Sequence, residues 1–394
     1  MAKRNHWLNA TVLGIGLASL ASDLSHEAVT SVLPGFLASM GVAAAALGTI
    51  EGVADGLSTL AKLYGGWWAD RMHRRKTLCA SGYGFMALAT VLIAIAKSWL
   101  VVLLGRGLAW VARGIRTPAR KSLLAEAATP ETYGRAFGFE RMMDTLGAVL
   151  APLLVLGLLR TGRFHARDII WISVLPALLA VWAIVFLVKE KREHAGSPRP
   201  FLESFGGLPG EFTRFLRWVG LFGAGDFAHS LMILYAIRAL EPRLGYSGAT
   251  TSAVALYALH NAVYAGVSYP IGALADRKNK RILLALGYGL GALTACLLAL
   301  GVKSLPMLSL VFALGGAYIG MEETLEDSLS AGLLPPSRRG SGFGLLALVN
   351  GLGDLVSSVT VGWLWAGFGP AAAFGAAALV MGAGASAVWL SRRP

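Results

Sequence analysis

Gly65-Gly66-Trp67-Trp68-Ala69-Asp70-Arg71-Met72-His73-Arg74-Arg75-Lys76 sits between two apolar runs, about 43–68 and 77–97, each long enough to cross a bilayer. One carboxylate and a cluster of cations in so short a polar gap predict a tight turn between two membrane spans. The pattern returns later in the chain. Ala275-Asp276-Arg277, followed by Lys280 and Arg281, again separates two apolar runs, and Asp276 stands 206 residues after Asp70. The same offset relates Lys97-Ser98 to Lys303-Ser304, Pro130 to Pro336 and Gly134 to Gly340. A register held over about 65 residues means two copies of one structural unit, so the chain reads as a duplicated membrane protein.

Composition agrees. With 394 residues, 55% hydrophobic and only 14% charged, the chain is too apolar for a soluble domain of its length. Twelve spans are expected, at about 9–35, 43–68, 77–97, 99–124, 134–160, 168–188, 213–240, 247–274, 282–302, 305–333, 341–367 and 370–391. The fold class is all-α integral membrane, with two pseudo-symmetric six-helix bundles over 1–188 and 213–394 and a cytoplasmic linker over 189–212. Several spans exceed the ~20 residues a bilayer needs, so tilt or kinks are expected.

A net charge of +13 would suit nucleic acid, but the cations flank spans, as membrane topology requires. Lys3 and Arg4, Arg71 to Lys76, Lys189 to Arg192, Arg277 to Arg281, and Arg392 and Arg393 fall on one side, and the opposite loops hold few cations. The partner is therefore a lipid bilayer rather than nucleic acid. The expected location is the inner (cytoplasmic) membrane, multi-pass, with both termini cytoplasmic. A cleaved signal peptide is disfavoured, because the first apolar run continues past Asp23 and has a counterpart in the second copy. Cys79 and Cys296, the only cysteines, lie in apolar spans and build no disulfide framework or metal knuckle.

Polar residues mark some spans and not others. Asp23, His26, Glu27 and Thr30 share one face of the first span by their i, i+3, i+4, i+7 spacing. Glu51, Asp55, Ser58 and Lys62 do the same in the second. The fourth carries Arg106, Arg113, Arg116 and Arg120, and the fifth Glu140, Arg141 and Asp144. In the second copy, Asp226 and His229 repeat the Asp-x-x-His of the first span. Tyr257, Asn261, Tyr264 and Ser268 replace the second-span stripe, with His260 beside it. The tenth span holds Glu322, Glu323, Glu326 and Asp327, and the offset maps Arg116 to Glu322 and Arg120 to Glu326. The eleventh carries Asn350, matching Asp144, and Asp354. The third and sixth spans of each copy lack charge in their interiors. A charge facing lipid costs ~2.5 kcal/mol or more, so striped helices must face protein or water and clean ones can face lipid. Two such bundles, related by an axis along the membrane normal, enclose an aqueous cavity.

Over its whole length the chain resembles the major facilitator superfamily. Gly66-Trp67-Trp68-Ala69-Asp70-Arg71 with Arg74-Arg75-Lys76 resembles the family's loop motif, and Gly272-Ala273-Leu274-Ala275-Asp276-Arg277 is its second copy. Trp68 stands where Leu is usual, and His73 where Gly is. Arg106 matches the family's fourth-helix arginine, with Trp110 in place of a small residue. Gly147-Ala148-Val149-Leu150-Ala151-Pro152 resembles the fifth-helix motif of the proton-antiporter branch, with Ala151 where Gly is usual. The resemblance implies alternating-access transport of a small-molecule substrate, with Asp70, Arg71, Arg74, Asp276 and Arg277 latching the cytoplasmic face.

Asp23, His26, Glu27, Glu51, Asp55, Arg106, Asp144, Asp226, His229, Tyr257 and Asn261 are the candidates for proton coupling or substrate binding. Each has a plainer reading as an internal hydrogen-bonding partner. The two Asp-x-x-His pairs would also suit a divalent ion, but no third ligand is fixed by spacing and no metal is expected. Arg113, Arg116 and Arg120 are expected to face Glu322 and Glu326 as a cytoplasmic gate; alternatively each set pairs within its own copy, as Arg113 with Asp144. No nucleotide-cradling Gly loop, Ser/His/Asp set or catalytic metal cluster stands out, so neither an enzyme nor a cofactor is expected. A non-transporting sensor is disfavoured by the short linker. The expectation is a monomer that exports solute by proton antiport; the alternative is proton-coupled uptake of a metabolite, metal ion or metal chelate.

Overall fold

The computed structural model describes residues 7–40, 44–72, 74–190 and 200–391, with no strand among them. The side chains of 44–56 are not described, so the Glu51 and Asp55 candidates lie outside the described residues. Seven described helical stretches are long and apolar enough to cross a membrane by length and composition: Arg75–Ala94, Pro130–Arg160, Ala166–Leu187, Lys280–Ala299, Leu305–Leu333, Pro336–Phe368 and Pro370–Leu390. Contacts divide the chain into two compact units. The first is Met1–Leu208 with Ser330–Leu348, and the second is Pro209–Leu329 with Val349–Pro394.

In the first unit α1 (Ala10–Ser39), α2 (Ala44–Arg71), α3 (Arg75–Ala94), α4 (Trp99–Ala127) and α5 (Tyr133–Arg160) follow the expected spans closely. The sixth stretch is segmented into α6 (Ala166–Ile172), α7 (Val174–Trp182) and a wider helical turn over Ala183–Leu187. α2 packs on α4, α1 on α5, and α3 on both α4 and α7.

The second unit is built from α8 (Gly210–Gly223), α9 (His229–Ala275), α10 (Lys280–Ala299), most of α11 (Leu305–Leu333), the later part of α12 (Arg339–Phe368) and α13 (Pro370–Leu390). Two departures from the expected spans stand out. The span expected over 213–240 is interrupted: α8 ends at Gly223, 224–228 leaves the helix, and α9 begins at His229. α9 then runs through two expected spans, bending sharply at Gly245, whose φ of 65° only glycine adopts readily.

Close helix approach repeats with the sequence. A Cβ added at Gly114 on α4 would lie 2.7 Å from the Ser58 carbonyl oxygen on α2, and one at Gly147 on α5 would lie 2.4 Å from that of Leu20 on α1. The residues 206 later behave alike. Gly320 on α11 sits against the Tyr264 carbonyl on α9 at 3.0 Å, and Gly353 on α12 against the backbone of Gly223 at 2.9 Å. Glycine at such crossings lets backbones meet where van der Waals packing must do most of the work.

The charge-free stretches hold large apolar side chains outward. Leu175, Phe186, Leu379 and Leu390 are each more than two-thirds exposed, an arrangement stable against lipid but not in water. The polar side chains are buried instead: Asp23, His26, Arg106, Arg116, Arg120, Glu140 and Asp144 in the first unit, Asp226, Glu322 and Glu326 in the second.

Candidate functional site

In the first unit the fourth-helix arginines meet carboxylates of α1 and α5. Arg113 Nη1 lies 2.9 Å from Asp23 Oδ1, and its Nη2 donates to Oδ2 at 3.2 Å. Arg116 Nη2 donates to Ser22 Oγ at 2.9 Å, and its guanidinium sits 3.8 Å over the Tyr83 ring. Arg120 reaches Glu140 at 2.8 Å and Asp144 at 3.4 Å, while Arg141 meets Asp144 at 3.3 Å. Ser19 closes the network by donating to Glu140 at 2.8 Å. His26 packs edge-on against Trp110, whose ring also faces Arg106 and Arg113. Glu27 lies one helical turn past Asp23 and is half-buried. A buried charge left unpaired costs several kcal/mol, so these carboxylates and guanidinium groups hold one another in place.

These partners bear on the second of the two pairings expected for the fourth-helix arginines, the one within a copy. Arg113 and Arg120 form ion pairs inside one copy, the alternative noted from sequence, but with Asp23 rather than Asp144 as the mate of Arg113. Glu326, the offset mate of Arg120, accepts from Tyr288 and from Asn350 Nδ2, the latter at 2.8 Å. Within the first unit, Ser19, Ser22 and Asp23 of α1 and Glu140 of α5 lie within reach of the α4 arginines.

A second construction surrounds Asp70 at the end of α2. Its carboxylate accepts from the backbone N–H of Gly340 at 2.7 Å and of Ser341 at 2.6 Å, in the first turn of α12. The positive end of a helix suits a carboxylate. Arg75, 8% exposed, pairs with Asp70 at 2.9 Å and with Glu126, and donates to the carbonyls of Ala69 and Pro336 at 3.0 and 2.9 Å. This ties Ser330–Leu348 into the first unit. Of the cations expected to serve the latch, Arg71 lies over Trp67 and Arg74 is exposed; the cation paired with Asp70 is Arg75. In the second-copy motif Asp276 is half-buried and Arg277 exposed.

The second unit holds a cavity of about 390 Å³. Asp226, at the interruption between α8 and α9, lines it with His229; Tyr257, His260, Asn261 and Tyr264 of α9, Glu322 and Glu323 of α11, and Asn350 and Asp354 of α12 complete the wall. Tyr318 donates to Asp226 Oδ1 at 2.8 Å, and Tyr264 to Glu323. His229 and His260 meet ring to ring at 4.6 Å. The structure thus gathers four sequence candidates, Asp226, His229, Tyr257 and Asn261, with Glu322, which had been expected to gate. Glu323, Asp354, Tyr264 and His260 were not among the candidates. Their signal was the run of polar residues on α9, α11 and α12. Among the described residues, no three His, Cys, Asp or Glu side chains are grouped to hold a metal ion.

Comparison with known proteins adds the wider context. The profile of the Major Facilitator Superfamily matches residues 15–259 and 218–394. An uncharacterised MFS-type transporter of Methanocaldococcus jannaschii is 28% identical over 361 residues, spanning 91% of this chain and 89% of that one. The multidrug resistance protein MdtH of Sodalis glossinidius is 26% identical over 335 residues, spanning 84% and 79%. Among solved structures, the human organic anion transporter MFSD10 aligns with a TM-score of 0.77 at 16% identity, covering 96% of this chain and 99% of its own. The E. coli fucose:proton symporter FucP aligns at 0.76 and 16%, covering 97% and 98%. At that identity the structural likeness speaks to the fold.

Proposed function

The chain belongs to the major facilitator superfamily, and from that membership we propose that it is a secondary active transporter that exports a small solute across the cytoplasmic membrane in exchange for protons. The observation that carries the proton half is the buried Asp23–Arg113 ion pair at 2.9 Å. A proton delivered to Asp23 removes the charge that holds Arg113, so protonation and side-chain rearrangement meet at one point and bias a two-state equilibrium. Glu27 supplies a second carboxyl on the same helix. The Asp70–Arg75 construction contributes to the balance of that equilibrium by holding the start of α12 on the first unit in one state. Export is supported by the likeness to a multidrug resistance protein and by the Gly147–Pro152 motif.

The test uses everted membrane vesicles that maintain a proton gradient, read with a pH-sensitive dye while a panel of organic compounds is added. A transported compound should discharge the gradient with the wild-type protein, and the Asp23→Asn vesicles should lose most of that response. Discharge that persists in both Asp23→Asn and Glu27→Gln overturns the assignment of the proton to α1. Proton and solute moving in the same direction would make the protein an uptake symporter of a metabolite, metal ion or metal chelate.

A further inference from the structure

The cavity of the second unit has a charge pattern unlike the rest of the polar interior. Four carboxyl groups line it, from Asp226, Glu322, Glu323 and Asp354, and among the described residues no Lys or Arg does. Its 390 Å³ falls in the range of small-molecule sites and is more than ten times the ~30 Å³ share of one water. Acidic residues alone would carry little, but three buried polar atoms in the wall, Glu322 Oε2, His260 Nδ1 and His229 Nε2, lack any hydrogen-bond partner. Glu322 is 6% exposed, and its Oε2 accepts nothing; His260 is 2% exposed, and its Nδ1 is likewise without a partner. An unmet buried group costs ~1–3 kcal/mol, and a ligand bearing donors removes that cost at Glu322.

One further feature points the same way. Tyr257 and His260 lie nearly parallel, with centroids 5.8 Å apart and planes 19° from each other, and make a flat aromatic wall. A cation is drawn to carboxylates and to the face of a tyrosine ring alike. An anion would meet like charge on several sides. A bare metal ion finds no grouped ligand set among the described residues.

We propose that this cavity binds an organic cation: a protonated amine whose head group meets Glu322 and its neighbouring carboxylates while an aromatic or alkyl body lies along Tyr257 and His260. The proposal deepens the transporter reading and rests on it for movement of the solute, not for binding.

Three probes of one body and different heads test it: tryptamine, tryptophol and indoleacetate. With the purified full chain in detergent, tryptamine should raise the melting temperature and bind saturably, and the alcohol and the acid should do neither. Glu322→Gln and Asp354→Asn should each weaken tryptamine binding about tenfold or more, the worth of one charged hydrogen bond. The melting temperature of each unliganded variant checks that it is folded. Equal binding of all three probes, preference for indoleacetate, or tryptamine affinity unchanged in both variants overturns the site. Flux of labelled tryptamine in proteoliposomes separates the two ideas. Saturable binding with no flux refutes the transporter reading and leaves the site; flux indifferent to both substitutions refutes the site and leaves the transporter.

Discussion

Asp23 and Asp226 open the same Asp-x-x-His motif in the two copies of the repeat, and their surroundings have diverged. Asp23 lies in an unbroken helix and pairs with Arg113 at 2.9 Å. Asp226 lies where the helix is interrupted, accepts from Tyr318 at 2.8 Å, and shares a cavity with three more carboxyl groups. Two of the fourth-helix arginines of the first unit, Arg116 and Arg120, are replaced at the same offset by Glu322 and Glu326. At these two positions duplication has preserved where the polar groups stand and reversed their sign. The first unit became a self-neutralised network that holds its helices together; the second retained a concentration of negative charge facing open space. A network of the first kind resists loss of any member, whereas a site of the second kind depends on what fills it.

The largest expected effect tests that difference directly. Arg120→Leu removes the ion-pair partner of Glu140, 1% exposed, while Asp144 keeps Arg141, and should destabilise the protein by ~3–5 kcal/mol in detergent unfolding. Its positional mate should be tolerant. Glu326→Gln keeps the side-chain shape and one of the two oxygens that accept from Tyr288 and Asn350, and the Asn350 amide can turn its oxygen toward the new N–H, so a loss of ~1 kcal/mol is expected. If both variants melt equally low, the two units handle charge alike and the comparison is broken.

The same contrast explains what could be read before the structure. A charge in an apolar chain is costly enough to be conspicuous, so Asp70, Asp23, Asp226 and the fourth-helix arginines marked the repeat and the polar helices unaided. Their partners were less legible. Offset identifies Arg116 and Glu322 as symmetry mates, but it does not name the side chains that Arg116 meets within its own unit, Ser22 and Tyr83. Arg75 could not be distinguished from Arg71 and Arg74, because only the start of α3 at Arg75 turns that side chain inward. The interruption at 224–228 was hidden by its glycines. Gly220, Gly223 and Gly225 fit a packed helix as well as a broken one, and Gly223 does pack, against Gly353. Glu323 and Asp354 were passed over because adjacent Glu322 and Glu323 point about 100° apart on a helix. Only a cavity wide enough to touch both faces brings them together.

The loop motif offers a second, smaller test. Arg75 and Arg281 are mates, but Arg75 is buried among Asp70, Glu126 and two carbonyls. The Arg281 side chain is 26% exposed, with Glu211, itself 69% exposed, 3.6 Å away. Arg75→Ala should cost ~1.5–3 kcal/mol and speed hydrogen exchange at Gly340 and Ser341, whose N–H groups Asp70 accepts. Arg281→Ala should cost no more than ~1 kcal/mol, as exposed pairs do. Equal exchange at Gly340 in wild type and Arg75→Ala would show that Asp70 holds α12 without help.

The smallest expected effect lies at the helix crossings, where the copies are most alike. Gly114 and Gly320 occupy one position of the repeat and cross one position of a neighbouring helix, at Ser58 and Tyr264. Replacing glycine by alanine in a helix favours the helix by ~1 kcal/mol, and the added methyl must then fit. At Gly114 it would lie 2.6 Å from the Ala61 Cβ, 2.7 Å from the Ser58 oxygen and 3.1 Å from the Lys62 nitrogen. Those atoms are backbone or fixed to it, so α2 and α4 must move apart, and overpacking of this kind costs ~1–3 kcal/mol. At Gly320 the nearest atoms are the Tyr264 oxygen at 3.0 Å and the Ser268 hydroxyl at 3.2 Å. The hydroxyl can rotate and the backbone need give only a few tenths of an ångström, so gain and strain should nearly cancel. Detergent melts of Gly114→Ala and Gly320→Ala measure this, the first expected to melt lower and the second within a few degrees of wild type. Reversal of that order would mean that the second copy, not the first, is the more tightly closed at this crossing, and that its open cavity is bought by stiffness elsewhere in the same helix pair.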